Sequence, residues 1–463
     1  MEKPEVRLAQ QKLLSESESW IDGITLSVSL NHPRRLGSCY SNHFLSLRSP
    51  SLDWRRALHE PSAVLPQPNG STSRVSKKPV RIIVLIAISH MTIDAYSAML
   101  HPLLPRLMDK MGLSIGLAAT LATILSIATS MPQPALGYLA DRYGHRAFLV
   151  AGPVVAGVFL SLMGLAPTYL ILTLLLIVGG LGSAGFHPPG ASLVARAADG
   201  RGSGVRLSVF SFGGAAGFAI GPVTAVGLVG LFGLGGLWVA MIPGVIAGSA
   251  LWFATRGQIR AKSDTPPPPI LEVVKLLKGP LGLVFGISAV GAFAQRTILT
   301  FVPIIAADVG VSEVAGAVML STYLGSQAFG TLTSGFLTDR MNRQHILIAA
   351  SALAVPAHVL AIVLTPASPL AIAATICAGF LNMALLPPVV VMAQEMVPSG
   401  TAASSGIVMG LAWAVGTLGI PISGILADIF GPVFAAGWSM PMLLCGTLFA
   451  LHPSLKPYSR AKG

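Results

Sequence analysis

From residue 80 to residue 452 the chain is a succession of apolar stretches of 20 to 29 residues, separated by short connections. A helix rises about 1.5 Å per residue, so about 20 apolar residues cross a hydrocarbon core roughly 30 Å thick. Lipid offers the backbone no hydrogen bonds, and stretches of this length satisfy their own amides only as helices. Runs read between charges and turn signals place spans at 80–104, 115–139, 147–166, 168–196, 206–230 and 234–255, then at 280–304, 313–337, 344–365, 368–396, 400–427 and 431–452. The expected fold is an all-α membrane protein of twelve helices in two six-helix bundles.

Composition excludes the soluble alternatives. Only 10% of the 463 residues are charged and 53% are hydrophobic, whereas a globular surface needs roughly a quarter of its residues charged. The net charge of +12 would suggest nucleic acid in a soluble protein. Here the basic residues follow the membrane instead, and no nucleic-acid partner is expected. Cys39, Cys377 and Cys445 show neither metal-ligand spacing nor a paired framework. Residues 1–79 are polar, rich in Ser, Pro and Arg, and hold no signal-peptide core. They read as a flexible polar cytoplasmic tail, or as an over-long reading frame with its start near Val75. The expected domains are that tail, a bundle at 80–255, a linker at 256–279, a bundle at 280–452 and a cytoplasmic tail at 453–463.

Lysine and arginine gather on the cytoplasmic side of short loops. With the N-terminal tail inside, nineteen of them, including Arg142, Arg146, Arg340 and Arg343, fall inside, and only Arg106 and Lys110 fall opposite. Both termini are then cytoplasmic. An offset of 198 residues lays the second half on the first. Pro105 meets Pro303, Gly112 meets Gly310, Ser114 meets Ser312, Gly137 meets Gly335, and Asp141-Arg142 meets Asp339-Arg340. One further residue brings Pro188-Pro189 onto Pro387-Pro388. Two parallel repeats point to a transporter with its site between the halves.

The loops between spans 2 and 3 and between spans 8 and 9 read GYLADRYGHR and GFLTDRMNRQ. The first fits G-x-L-x-D-R-x-G-x-R and resembles the cytoplasmic loop signature of the major facilitator superfamily, with His145 where a basic residue is commoner. Gly137, Asp141, Arg142, Gly144 and Arg146, with Gly335, Asp339 and Arg340, form the candidate cytoplasmic gate. There Asp141 can meet helix N-terminal amides or an arginine across the bundle. In span 5, Gly213, Gly217 and Gly221 recur on one face before Pro222, which suits close backbone packing and a kink. This stretch resembles the superfamily's antiporter motif, with Ser208, Ala225 and Val226 in place of glycines.

Four segments resemble the fosmidomycin-resistance family of major facilitator efflux proteins: SHMTIDAYSAMLHPLLPRL, SMPQPALGYLADRYG, GSAGFHPPGASLVAR and SVFSFGGAAGFAIGP. The chain differs from that family in carrying Ser211 and Ala215 around the Gly-Gly. The resemblance implies drug efflux by alternating access.

Ionisable side chains at membrane depth are costly and are functional candidates. His90, Asp94 and His101 share one helical face of span 1. Arg296 in span 7 falls at the level of Ala98 after the repeat offset, so an acid and a base are expected to face each other across a central cavity. Asp94 is the expected proton carrier, tuned by His90, and Arg296 neutralises it or binds an anionic group of the cargo. His187 lies in span 4 beside Pro188 and Pro189, which free backbone carbonyls; it binds substrate, relays a proton or is structural. Tyr96, Gln295, Tyr323, Gln327 and Asn382 are candidate cavity-lining groups, and His358, Glu395 and Asp428 are expected at span edges or helix ends.

These residues support a proton-linked exporter of a small polar or anionic compound, expected as a monomer in the inner membrane, with lipid and a small-molecule cargo as partners. No cofactor or metal is expected beyond the proton gradient. Proton-linked uptake uses the same architecture, and a receptor or sensor is the alternative from another class. No nucleotide-binding loop, serine-histidine-acid set or metal cluster points to an enzyme.

Overall fold

The computed structural model describes residues 77–196, 203–256, 275–397 and 401–460, without the side chains of 77–79, 141, 195–196, 203–207 and 401–403. The expectations for residues 1–76, for most of the linker and for the Asp141 carboxylate lie outside these. The spans are α1 Val80–Met111, α2 Ile115–Ala140, α3 His145–Leu165, α4 Tyr169–Val194, α5 Ser208–Phe232, α6 Leu234–Ala254, α7 Pro280–Asp308, α9 Arg343–Val363, α10 Pro369–Met396, α11 Ser404–Phe430 and α12 Pro432–Leu451. These eleven are long and apolar enough to cross a membrane. The twelfth, α8 Glu313–Thr338, is a 26-residue helix whose Ser, Thr, Tyr and Gln residues lower its hydropathy. Those residues turn largely inward, with Tyr323, Ser326, Gln327 and Ser334 buried.

Glycine ends the first helix of each half. Proline in a helix interior removes one hydrogen bond, yet α1 runs through Pro102 and Pro105 and α7 through Pro303, farther than the 104 and 304 expected from sequence. The stops are Gly112 at φ 62° and Gly310 at φ 71°, the left-handed conformation in which glycine has no steric penalty. Leu113 N then donates to Met108 O at 3.0 Å and Val311 N to Ala306 O at 2.8 Å. Ser114 and Ser312 each cap the next helix by accepting from the amide three residues on. Each of these pairs is separated by 198 residues, so the repeat is present in the fold as well as in the sequence.

Small residues set how closely α1 and α5 approach. A Cβ at Gly213 would strike the carbonyl of Ala87, at Gly217 that of Met91, and at Gly221 that of Ala95. Three successive turns of α5 therefore lie on the backbone of α1. Likewise a Cβ at Gly137 in α2 would lie 3.1 Å from Pro188 in α4. In line with the single span expected at 168–196, α4 remains helical through Pro188 and Pro189. Neighbouring helices shield the freed carbonyls from lipid there.

The halves are joined at the end where α1 finishes. Arg106 donates through Nε to Glu313 at 2.7 and 2.8 Å, and Asp428 in α11 accepts from the Ile115 and Gly116 amides of α2. Deeper in, Thr123 donates to Thr417 O at 3.3 Å. At the opposite end, which bears the two signature loops, two arginines bond within their own halves. Arg146 lies over Trp252 at 3.9 Å and donates to its carbonyl at 2.9 Å. Arg340 lies over Phe336 at 3.5 Å. Bonds between the halves therefore seal the end where α1 finishes, while the described contacts of Arg146 and Arg340 at the loop end stay within their own halves. Residues 453–460 pack on the second half: Leu455 is buried, and Arg343 N donates to Ser459 O at 2.7 Å.

Candidate functional site

Midway along α1, His90 and Asp94 lie one helical turn apart and point toward α4 and α5. The Asp94 Oδ2 is 3.1 Å from His90 Nε2 and its Oδ1 is 3.2 Å from His187 Nε2. One nitrogen of each histidine and a carboxylate oxygen lie within 4.8 Å of one another, and each histidine–carboxylate contact is short enough to hold a proton of its own. His90 stacks on Phe210 of α5 with centroids 4.0 Å apart. Gly214 leaves the room: a Cβ there would lie 2.6 Å from Asp94 Oδ2 and from His90 Nε2. The spacing rules that flagged Gly213, Gly217 and Gly221 passed over Gly214, because it falls outside their four-residue period.

Proton positions follow from the hydrogen bonds. His90 Nδ1 is 2.7 Å from Phe210 O, and His187 Nδ1 is 2.7 Å from Ser183 O. A carbonyl oxygen only accepts, so each Nδ1 carries a proton and donates it. A neutral ring of this tautomer has a lone pair on Nε2, and an ionised carboxylate offers only lone pairs. Each histidine–carboxylate contact therefore needs a proton between its heavy atoms. The cluster is fully hydrogen-bonded with two shared protons. With one fewer, one nitrogen faces one oxygen with no hydrogen between them, an arrangement that costs free energy in a buried site.

Arg296 was expected to face Asp94 and either neutralise it or bind an anionic group of the cargo; the groups that hydrogen-bond Asp94 are the two histidines. Arg296 lies on α7 in the other half, buried, in electrostatic range of Asp94, His101 and Tyr323. Its Nε has no hydrogen-bond partner, and neither does Nδ1 of the buried His101. No carboxylate pairs with Arg296 among the described residues. A buried guanidinium with an unused donor is a place for an anion.

The other expected cavity residues divide. Tyr96 is a correction: its hydroxyl donates to Ala240 O and accepts from Gly244 N, both at 2.7 Å, which turns it into the first half toward α6. Tyr323 is likewise turned into the second half, its hydroxyl 3.1 Å from Nε2 of His358. His358 is fully buried within α9, not at a span edge. Gln295, Gln327 and Asn382 form one chain across α7, α8 and α10. Gln295 Nε2 donates to Gln327 at 2.9 Å, Gln327 Nε2 to Asn382 at 3.4 Å, and Asn382 Nδ2 to Gly291 O at 2.9 Å. Gln295 and Asn382 border a small pocket with Ser288 and Trp413. Glu395 pairs with Arg343 at 2.9 Å, joining α9 to α10 at the loop end.

Long helices in two repeats, with an ionisable cluster in one half and, among the described residues, a guanidinium bonded to no carboxylate in the other, fit a membrane transport protein. The chain belongs to the major facilitator superfamily, whose family model matches residues 86–291 and 283–455. It is 30% identical over 389 residues to the uncharacterized MFS-type transporter YfnC of Bacillus subtilis (strain 168), covering 81% of this chain and 93% of that one. It is 26% identical over 360 residues to the fosmidomycin resistance protein of Escherichia coli (strain K12), covering 75% of this chain and 86% of that one. Among solved structures it superposes on a bacterial homologue of the human lysosomal transporter Spinster, in an inward-facing and occupied conformation. That match has a TM-score of 0.69 at 16% identity, over 84% of this chain and all of the other, and it speaks for the fold.

Proposed function

We propose that this transporter exports a small polar or anionic compound in exchange for protons. The observation that carries the reading is the buried His90–Asp94–His187 cluster, which joins α1 to α4 and keeps all its hydrogen bonds only at one proton count. A side-chain set that must gain and lose protons, held between two helices, lets a proton gradient favour one arrangement of the bundle over another. Arg296 takes the anionic group of the cargo, because its charge has no carboxylate partner of its own. Export, rather than uptake, rests on the likeness to the fosmidomycin resistance protein, and the amide chain of Gln295, Gln327 and Asn382 offers neutral hydrogen bonds to the remainder of the cargo.

The test is transport by the full chain in lipid vesicles, with labelled fosmidomycin and a panel of small phosphonates and carboxylates. An imposed proton gradient should drive at least one of them against the proton flow. Movement with the protons would replace export by uptake. Transport by the wild-type protein that ignores the gradient would remove proton coupling altogether.

A further inference from the structure

α2 and α11 finish with the same pattern at opposite ends of the molecule. Residues 137–144 read GYLADRYG and residues 424–431 read GILADIFG. The two copies also fold alike. Gly144 adopts φ 110°, ψ 130° and Gly431 φ 88°, ψ 154°, and each donates its amide to the alanine four residues back, at 2.8 and 2.9 Å. Each glycine then opens the next span. The first copy is the signature loop at the loop end. The second lies at the sealed end and belongs to no motif named so far.

Its aspartate is engaged. Asp428 Oδ1 accepts from Ile115 N at 2.7 Å and Oδ2 from Gly116 N at 2.9 Å. Those are the first amides of α2, in the opposite half. They are donors that a helix leaves unused at its start, where the peptide dipoles also favour a negative charge. The fit depends on small residues. A Cβ on Gly116 would lie 2.9 Å from Asp428 Oδ2, and one on Gly424 would lie 2.9 Å from the Gly116 Cα. Nearby, the Arg106–Glu313 pair is part exposed on both sides, and exposed pairs contribute little.

We infer that Asp428 is a positioning residue of the transport cycle: it holds the sealed end shut by capping α2 of the other half, and it is the counterpart at that end of Asp141 at the loop end. One local design serves both ends because α2 and α11 run in opposite directions in opposite halves. The latch biases the alternation itself, so it is independent of the cargo and of the proton site.

The experiment measures distances between spin labels on the full chain in lipid nanodiscs, with the native cysteines replaced by serine. Leu165→Cys with Val314→Cys reports the sealed end, and Tyr143→Cys with Met341→Cys reports the loop end; all four positions are exposed. Asp428→Asn should raise the ratio of open to shut at the sealed end about two- to fivefold and shorten the loop-end distance. Asp141→Asn should move both distances the opposite way. Gly116→Ala, which keeps the carboxylate but crowds it, should act like Asp428→Asn and serves as the second variant should Asp428→Asn fold poorly. Unchanged distances in a folded Asp428→Asn or Gly116→Ala protein, or a shift in the same direction as that of Asp141→Asn, would overturn the inference.

Discussion

The polar interiors of the two halves are built from different chemistry. The first half buries Asp94 within hydrogen-bond distance of His90 and His187, a carboxylate and two imidazoles whose side chains can bind and release protons. The second half buries Gln295, Gln327 and Asn382, whose amides neither gain nor lose protons, and adds Arg296, which keeps its charge. Hydrogen bonds of the His–Asp–His cluster change with proton count, while those of the Gln295–Gln327–Asn382 chain have a fixed direction from each amide to the next. On the proposed function, this division would put proton exchange and the fixed cargo contacts on opposite sides of the interface between the repeats, so that alternation couples them without a shared residue.

Changing one half and then the other should break or sharpen that contrast. The largest effect is expected from Asp94→Asn, which should cut gradient-driven transport about a hundredfold or more while exchange of labelled for unlabelled compound continues. Asn382→Ala in the second half should leave the coupling intact, and equal loss of coupling in both would erase the division. Arg296→Gln should weaken binding of an anionic compound about 10- to 100-fold, in line with roughly 1.5 to 3 kcal/mol for hydrogen bonds to charged groups. A neutral analogue should bind almost unchanged; titration calorimetry with both compounds reads the difference.

Next in size, Gly214→Ala should lower the melting temperature through roughly 1 to 3 kcal/mol of overpacking against Asp94 and His90 and alter the pH profile of transport. Gly227→Ala, where a Cβ would meet nothing within 4 Å, is the matching control and should do neither. Tyr323→Phe is the smallest: losing its bond to His358 should cost about 1 kcal/mol of stability. Its pH profile of transport should match that of the wild type. A shifted profile would bring His358 into the proton chemistry and blur the contrast.

Much of the architecture was legible along the chain. The 198-residue repeat appears again in the glycine stops at Gly112 and Gly310 and the serine caps at Ser114 and Ser312, because such local backbone rules act within a few residues. Span ends were misjudged where proline stood inside a helix, since the chain continued to the glycine. The site was only half legible. His90 and Asp94 share a face by spacing alone, but His187 is 93 residues from Asp94, and no periodicity links the two. Tyr96 and Tyr323 are polar groups at membrane depth, and each hydroxyl finds its partner inside its own half. The repeated octapeptide at Gly424 to Gly431 escaped a comparison made only at the parallel offset.

The order of the amino acids by itself determined that the chain crosses lipid as two related sets of helices, because apolar length and backbone satisfaction leave no other solution. It also determined which ionisable groups lie at membrane depth. Only tertiary packing decided which of these touch: Gly213, Gly214 and Gly217 bring α5 onto α1, α4 carries His187 to Asp94, and among the described residues no carboxylate bonds Arg296. Contacts of a few ångströms between distant helices depend on how their surfaces interlock, and that is a property of the assembled bundle rather than of any one span.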